Sequence, residues 1–156
     1  MTIKKILATL LISSLFSTGL FAAPTEVKWK TFAQYNLKTK KAGKDLKKIL
    51  NKKIAIVGFM IPLDYSKKTI KEFLLVPYYP SCSHVPPPPA NQILKVKMSG
   101  KSGIKPSYFP VKVTGTTTIV KPKSKKGTPM GESHGQMMFM PEGVFSMKAS
   151  KIKEMR

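Results

Sequence analysis

Cys82 and His84 are the residues best suited to metal or nucleophilic chemistry, and they stand two apart. In extended backbone such a pair projects to one side. A thiolate and a neutral imidazole are both zinc ligands, and a zinc site takes at least three protein ligands. The pair is therefore part of a site at most. His134, Asp64, Glu132 and Glu142 are of ligand type, and no spacing ties any of them to it. Two other readings fit the same residues. Cys82 can be a small buried apolar side chain beside a hydrogen-bonded loop histidine. Alternatively Cys82 is a catalytic thiol, with Asn91 available to orient the imidazole. With one Cys in 156 residues, an internal disulfide and a Cys-rich zinc ribbon are excluded.

The prolines Pro86, Pro87, Pro88 and Pro89 follow the pair without interruption. Proline fixes φ and lacks an N–H, so the run predicts a polyproline II rod rising about 3.1 Å per residue. Such a rod cannot be a central strand. It is expected to cross the rim of a β-domain between two strands and to hold Cys82 and His84 at low entropic cost. These prolines, with Asn91 and Gln92, are the expected partner contacts. A second group, Met130, His134, Met137, Met138, Met140 and Met147, has ligands suited to Cu(I). On a strand, however, Met138 and Met140 face one way and Met137 and Phe139 the other, which is the pattern of core plus cover.

The elements that must position these residues are mostly strands. Ile54–Ile61 is rich in β-branched and aromatic residues and ends at Pro62, and Ile70–Val76 is stopped by Pro77. Gln92–Met98 alternates, with Lys95 and Lys97 between apolar residues. Val111–Val120 alternates with threonines, and Gly115 marks a bulge or sharp bend. Gln136–Met140 and Val144–Ala149 are expected to close as a hairpin across Pro141, Glu142 and Gly143. Lys121–Gly131 reads as a polar connection. Upstream, Trp29, Phe32 and Ala33 share a helical face and suggest a helical turn or a loop capping the core. Leu46, Ile49 and Leu50 predict a short amphipathic helix over Lys44–Asn51. The expected fold is mainly β: a small, OB-like, partly closed barrel of five or six strands with one short helix, a β-sandwich being the alternative.

Lys4 and Lys5, an uncharged run over Ile6–Phe21 and then Ala22, Ala23 and Pro24 follow the order of a secretory signal. The run is shorter than the about 20 apolar residues of a spanning helix and is diluted by serines. Residues 1–22 are expected to be a cleaved signal for export to the periplasm, an uncleaved N-terminal anchor being the alternative. Residues 23–52 then form an N-terminal segment with the short helix, and 53–156 the barrel-like domain. Cleavage removes two lysines from a formal charge of +21 and no acid, leaving +19 on 134 residues (156 less 22). No acid lies between Glu72 and Glu132. A field of this sign attracts an anionic envelope surface. Nucleic acid is not expected, because Arg156 is the only arginine and export removes the chain from it.

Three blocks carry a resemblance: Gly58-Phe-Met-Ile-Pro-Leu63, Glu72-Phe-Leu-Leu-Val-Pro77 and Cys82-Ser-His-Val-Pro-Pro-Pro-Pro-Ala-Asn-Gln92. With Pro110-Val-Lys-Val-Thr-Gly-Thr116, they resemble the domain-of-unknown-function family 3299 of exported bacterial proteins, over about residues 53–120. The chain departs from that family in carrying Pro80-Ser81 where small residues such as Gly-Ala usually precede the Cys. The resemblance implies a small exported β-domain beside ABC-type export or metal-uptake systems, including zinc-regulated ones. It implies no established activity. The function expected is a non-enzymatic accessory that binds or passes a divalent metal such as zinc through Cys82 and His84. The alternatives are a metal-free docking module for an envelope transporter, with the proline rod as contact, and a Cys82-dependent enzyme.

Overall fold

The frame is a barrel because one strand is long enough to pair on both sides of the closure. The computed structural model describes residues 23–79, 85–100, 102–121, 127–133 and 136–156. Short elements come first: β1 (Thr25–Glu26), α1 (Trp29–Phe32), β2 (Tyr35–Asn36), β3 (Lys41–Ala42) and α2 (Lys44–Ile49). They lead into β4 (Lys53–Pro62), β5 (Glu72–Val76), β6 (Leu94–Met98), β7 (Val111–Ile119), β8 (Thr128–Ser133), β9 (Gln136–Met140) and β10 (Phe145–Glu154). The barrel order is β4-β5-β6-β10-β7, and β4 returns to pair with β7. Of these pairs β6–β10 is parallel and the rest antiparallel, while β1 adds to β4 in parallel. This is the mainly β, OB-like architecture expected from the sequence, with five strands in the barrel, and it is closed rather than partly closed.

Closure runs through β4. Lys53–Gly58 pairs with β7, and Phe59–Pro62 pairs with β5. Gly58 sits at the handover, where a Cβ would lie 2.6 Å from the Val76 carbonyl and 2.9 Å from the Trp29 ring. Gly115 has a comparable role on β7: a Cβ there would collide with the Lys148 carbonyl. The irregularity expected at Gly115 lies on its partner, where the β10 register shifts between Ala149 and Lys151.

Inside the barrel, Phe73, Leu75, Leu94, Val96, Val113, Phe145 and Met147 are fully buried. The N-terminal elements cap this core. Phe32 and Tyr35 meet Phe145 edge-on at centroid distances of 5.0 Å and 5.5 Å, a geometry aromatic quadrupoles favour. Leu46 of α2 joins the same cluster. A second cluster lies outside the barrel wall and contains Ile61, Leu74, Val76, Ile93 and Met140.

Several expectations change. The closing hairpin is not formed: β9 pairs with β8, and β10 inserts between β6 and β7. The apolar face Phe145, Met147, Ala149 is buried only inside the barrel, and long-range burial decides over the nearest partner. The polar connection Lys121–Gly131 gives way to β8 at Thr128. The strand expected from Ile70 begins at Glu72, and Ile70 instead bridges Ile104. Both α1 and α2 are helical, so two short helices stand where one was expected, with α2 ending at Ile49.

Candidate functional site

Two features of the barrel surface combine polar groups with defined geometry. The first is the loop joining β5 to β6. Pro77 ends β5 without a donor. The Tyr78 hydroxyl donates to the Pro86 carbonyl at 3.1 Å and pins one end of the proline run. Pro88 is buried, whereas Val85, Pro86, Pro87 and Pro89 are exposed. Pro89 has φ −65° and ψ 154°, the polyproline II geometry. The run then closes in a 3₁₀ turn, Ala90–Gln92, with Gln92 N–H donating to the Pro89 carbonyl at 2.7 Å. Asn91 holds this turn to the N-terminal cap: its side-chain amide donates to the carbonyls of Ala33 (3.3 Å) and Tyr35 (2.9 Å). Val144 N–H donates to the Ala90 carbonyl, tying the turn to the entry of β10.

The second feature is a groove of about 620 Å³ on the outside of β5, β6 and β10. Leu63 walls one side; Val120, Lys121, Glu142 and Gly143 wall the other. Its floor presents Glu72, Leu74, Lys95, Lys97 and Ser146. The strand register explains the arrangement. Leu74, Lys95, Ser146 and Thr118 form one outward row across β5-β6-β10-β7, and Glu72, Lys97, Lys148 and Thr116 form the next. Glu72 reaches Lys97 at 2.9 Å and Lys95 at 3.8 Å. The hydrogen bond from Lys97 holds the Glu72 carboxyl below its ordinary range.

The family model for the protein of unknown function DUF3299 matches residues 18–152. The chain belongs to the DUF3299 family. A similar solved structure is that of a DUF3299 family protein (PA4066) from Pseudomonas aeruginosa PAO1, with a TM-score of 0.55 and 25% sequence identity. The match covers 86% of this chain and 97% of that one. Among curated proteins none matches.

In this DUF3299 chain, Cys82, His84 and His134 lie outside the described residues, as does the expected signal, residues 1–22. Among the described residues no group of three or more His, Cys, Asp and Glu stands together. Asp64 is spent on its own turn: its Oδ1 accepts from Ser66 N–H (3.0 Å) and Ser66 Oγ (2.6 Å), and its Oδ2 pairs with Lys67 (2.9 Å). Those hydrogen bonds, with Ser66 foremost, lower its pKa to about 2. Glu142 lines the groove, and Glu132 belongs to β8. Met140 and Met147, two of the methionines whose alternation favours core over Cu(I) ligation, are fully buried in different apolar clusters. The side-chain amide N–H groups of Asn91 donate to the cap, while its Oδ1 is buried without a hydrogen-bond partner among the described residues.

Lys97, Lys148 and Glu72 are surface residues that no motif in the sequence marks as a site. Their signal was present in the alternation Leu94-Lys95-Val96-Lys97 and Met147-Lys148-Ala149, which turns every lysine outward. What joins them into one surface is the β6–β10 pairing. A further unforeseen feature is Tyr65, half-exposed, whose phenol is raised by partial desolvation, then by Tyr79 and Tyr108.

Proposed function

We propose that the chain is an exported, non-enzymatic accessory module of the bacterial envelope that works by contact, with a component of an ABC-type transport system as partner. The observation that carries this reading is the anchoring of the rim loop. Tyr78, Pro88, Ala90 and Asn91 fix it to the barrel and cap, while Val85, Pro86, Pro87 and Pro89 face outward. A contact surface ordered before binding loses little entropy on association, and proline-rich rods are recognised for that reason. Site-specific photo-crosslinking tests the proposal. A crosslinker at Pro87 is expected to capture one transporter component in the periplasm, and one at exposed Lys38 is expected not to. The same capture pattern from both positions would overturn it.

A second reading keeps the loop and adds a cargo, zinc held by the Cys82 thiolate and the His84 imidazole. Its support is their spacing of two on a loop anchored just downstream. Two ligands fall short of a closed zinc site, so the third would come from outside the described residues or from the partner. Calorimetric zinc titration of the unmutated chain, His84→Ala and Cys82→Ser decides it: loss of uptake in both variants with unchanged melting is expected. No uptake by the unmutated chain ends this reading and leaves the docking module.

A further inference from the structure

The groove on β5, β6 and β10 combines four observations. First, the basic groups of its floor continue onto the neighbouring sheet surface: Lys95 and Lys97 line the groove, and Lys148 lies just outside its lining on β10. Lys95 and Lys97 are i, i+2 on one strand and so about 6.7 Å apart at the backbone, and Lys148 is the register partner of Lys97, about 4.8 Å away. Second, this array is undercompensated. Like charges directly opposed across strands destabilise a sheet, yet among the described residues Glu72 alone pairs with Lys95 and Lys97, and Lys148 has no carboxylate partner. Third, Lys95 and Lys97 lie between Leu63 on one side and Val120, Lys121, Glu142 and Gly143 on the other, which defines an elongated cleft rather than an open face. Fourth, among the described residues its lining contains no aromatic residue and no arginine. Single-stranded nucleic acid stacks its bases on aromatic side chains, and Arg forks read phosphate bidentately. The lining has neither.

We infer that this groove binds an extended acidic segment of a partner protein, with carboxylates at alternate residues laid over Lys95, Lys97 and Lys148. In extended chain every second side chain returns to the same side after about 6.7 Å, matching the lysine repeat on β6. The apolar walls at Leu63 and Val120 accept the aliphatic stems between charges. The inference rests on the contact reading of the protein and gives that contact a chemistry.

The test uses the purified chain and two labelled synthetic peptides of one composition, one alternating Glu and Ser, the other with its Glu residues in a block. Fluorescence anisotropy is expected to show tighter binding of the alternating peptide. Lys97→Gln and Lys148→Gln are each expected to weaken it roughly three- to tenfold, Lys97→Arg to preserve it and Glu72→Gln to strengthen it. Lys38→Gln, on an exposed turn, is expected to change nothing, and circular dichroism checks that every variant is folded. Equal affinity for the two peptides, or equal losses at Lys38, Lys97 and Lys148, would overturn the inference in favour of diffuse charge. Tighter, Lys97-dependent binding of heparin or of phosphatidylglycerol vesicles would overturn it in favour of a polysaccharide or a membrane. Because no transporter is present, failure here is distinct from failure of the rim-loop crosslink.

Discussion

Over the end of β4 beyond Gly58 and over Leu74–Val76 of β5 the outside of the barrel is sealed, and over β6, β10 and β7 it is open. On the sealed side Ile61, Leu74 and Val76 point away from the barrel interior yet are at most 3% exposed, because Ile93 and Met140 lie over them and Phe59, Leu63 and Tyr79 pack around them. On the open side the outward positions are Lys95, Lys97, Ser146, Lys148, Thr114, Thr116 and Thr118, and none is buried. Both surfaces belong to one continuous sheet, so the backbone does not distinguish them. The difference lies in what each strand offers its second face. A strand buried on both faces is apolar throughout, and one with a wet face alternates. The chain covers its apolar exterior with its own β9 and rim loop and leaves its charged exterior for something else.

The sharpest way to break this comparison is to cut into the sealed side. Leu74→Ala removes a buried side chain from the second cluster and is expected to cost about 2–5 kcal/mol, whereas Lys148→Ala on the open side should stay within about 0.5 kcal/mol. Urea unfolding of both variants measures it, and equal costs would abolish the distinction. Next comes Thr117, the inward residue of β7 between open-side neighbours. Its side chain is fully buried, and its hydroxyl has no hydrogen-bond partner among the described residues. Removing an unsatisfied buried hydroxyl recovers its desolvation cost, so Thr117→Val is expected to raise stability by about 1 kcal/mol, visible as a higher melting temperature. A smaller gain is expected from Lys148→Glu, which turns the opposed Lys97–Lys148 pair into an opposite-charge pair worth about 0.2–1 kcal/mol. The gain should shrink in high salt. The same change should abolish binding of the alternating acidic peptide, setting stability against function on the open face.

The smallest effect belongs to the turn where the two surfaces meet, since Leu63 packs on the sealed cluster and also walls the groove. The neighbouring Asp64 has a folded pKa of about 2 against an ordinary 3.8. A depressed carboxyl stabilises the fold above its ordinary value, and that contribution is lost as pH falls toward the folded value. Thermal melts of the unmutated chain and Asp64→Asn should therefore differ most above about pH 4 and converge near pH 2. A gap that widens on acidification would contradict the assigned hydrogen bonds.

Local chemistry determined much of this protein from sequence alone. Alternation in β6 and β7, proline stops at Pro62 and Pro77, and helical spacing at Trp29–Phe32 and at Leu46–Ile49 are properties of neighbouring residues, and each element formed where they occur. The continuous apolar runs Met60–Pro62 of β4 and Phe73–Val76 of β5 even carried the sign of burial on two faces. The proline run likewise marked a segment outside the strands. What the sequence left undecided was partnership. β9 and β10 are separated by a turn-like stretch and look like a hairpin, but Phe145, Met147 and Ala149 are buried only between β6 and β7. Asn91 reads as a loop contact until the cap beneath it supplies two carbonyls. Lys97 and Lys148, far apart in the chain, become neighbours only through a parallel pairing. Period and propensity act over a few residues and say which side chains share a face. Which face is sealed, and which charges are brought together, depends on contacts between distant strands, and only closure of the barrel decided those.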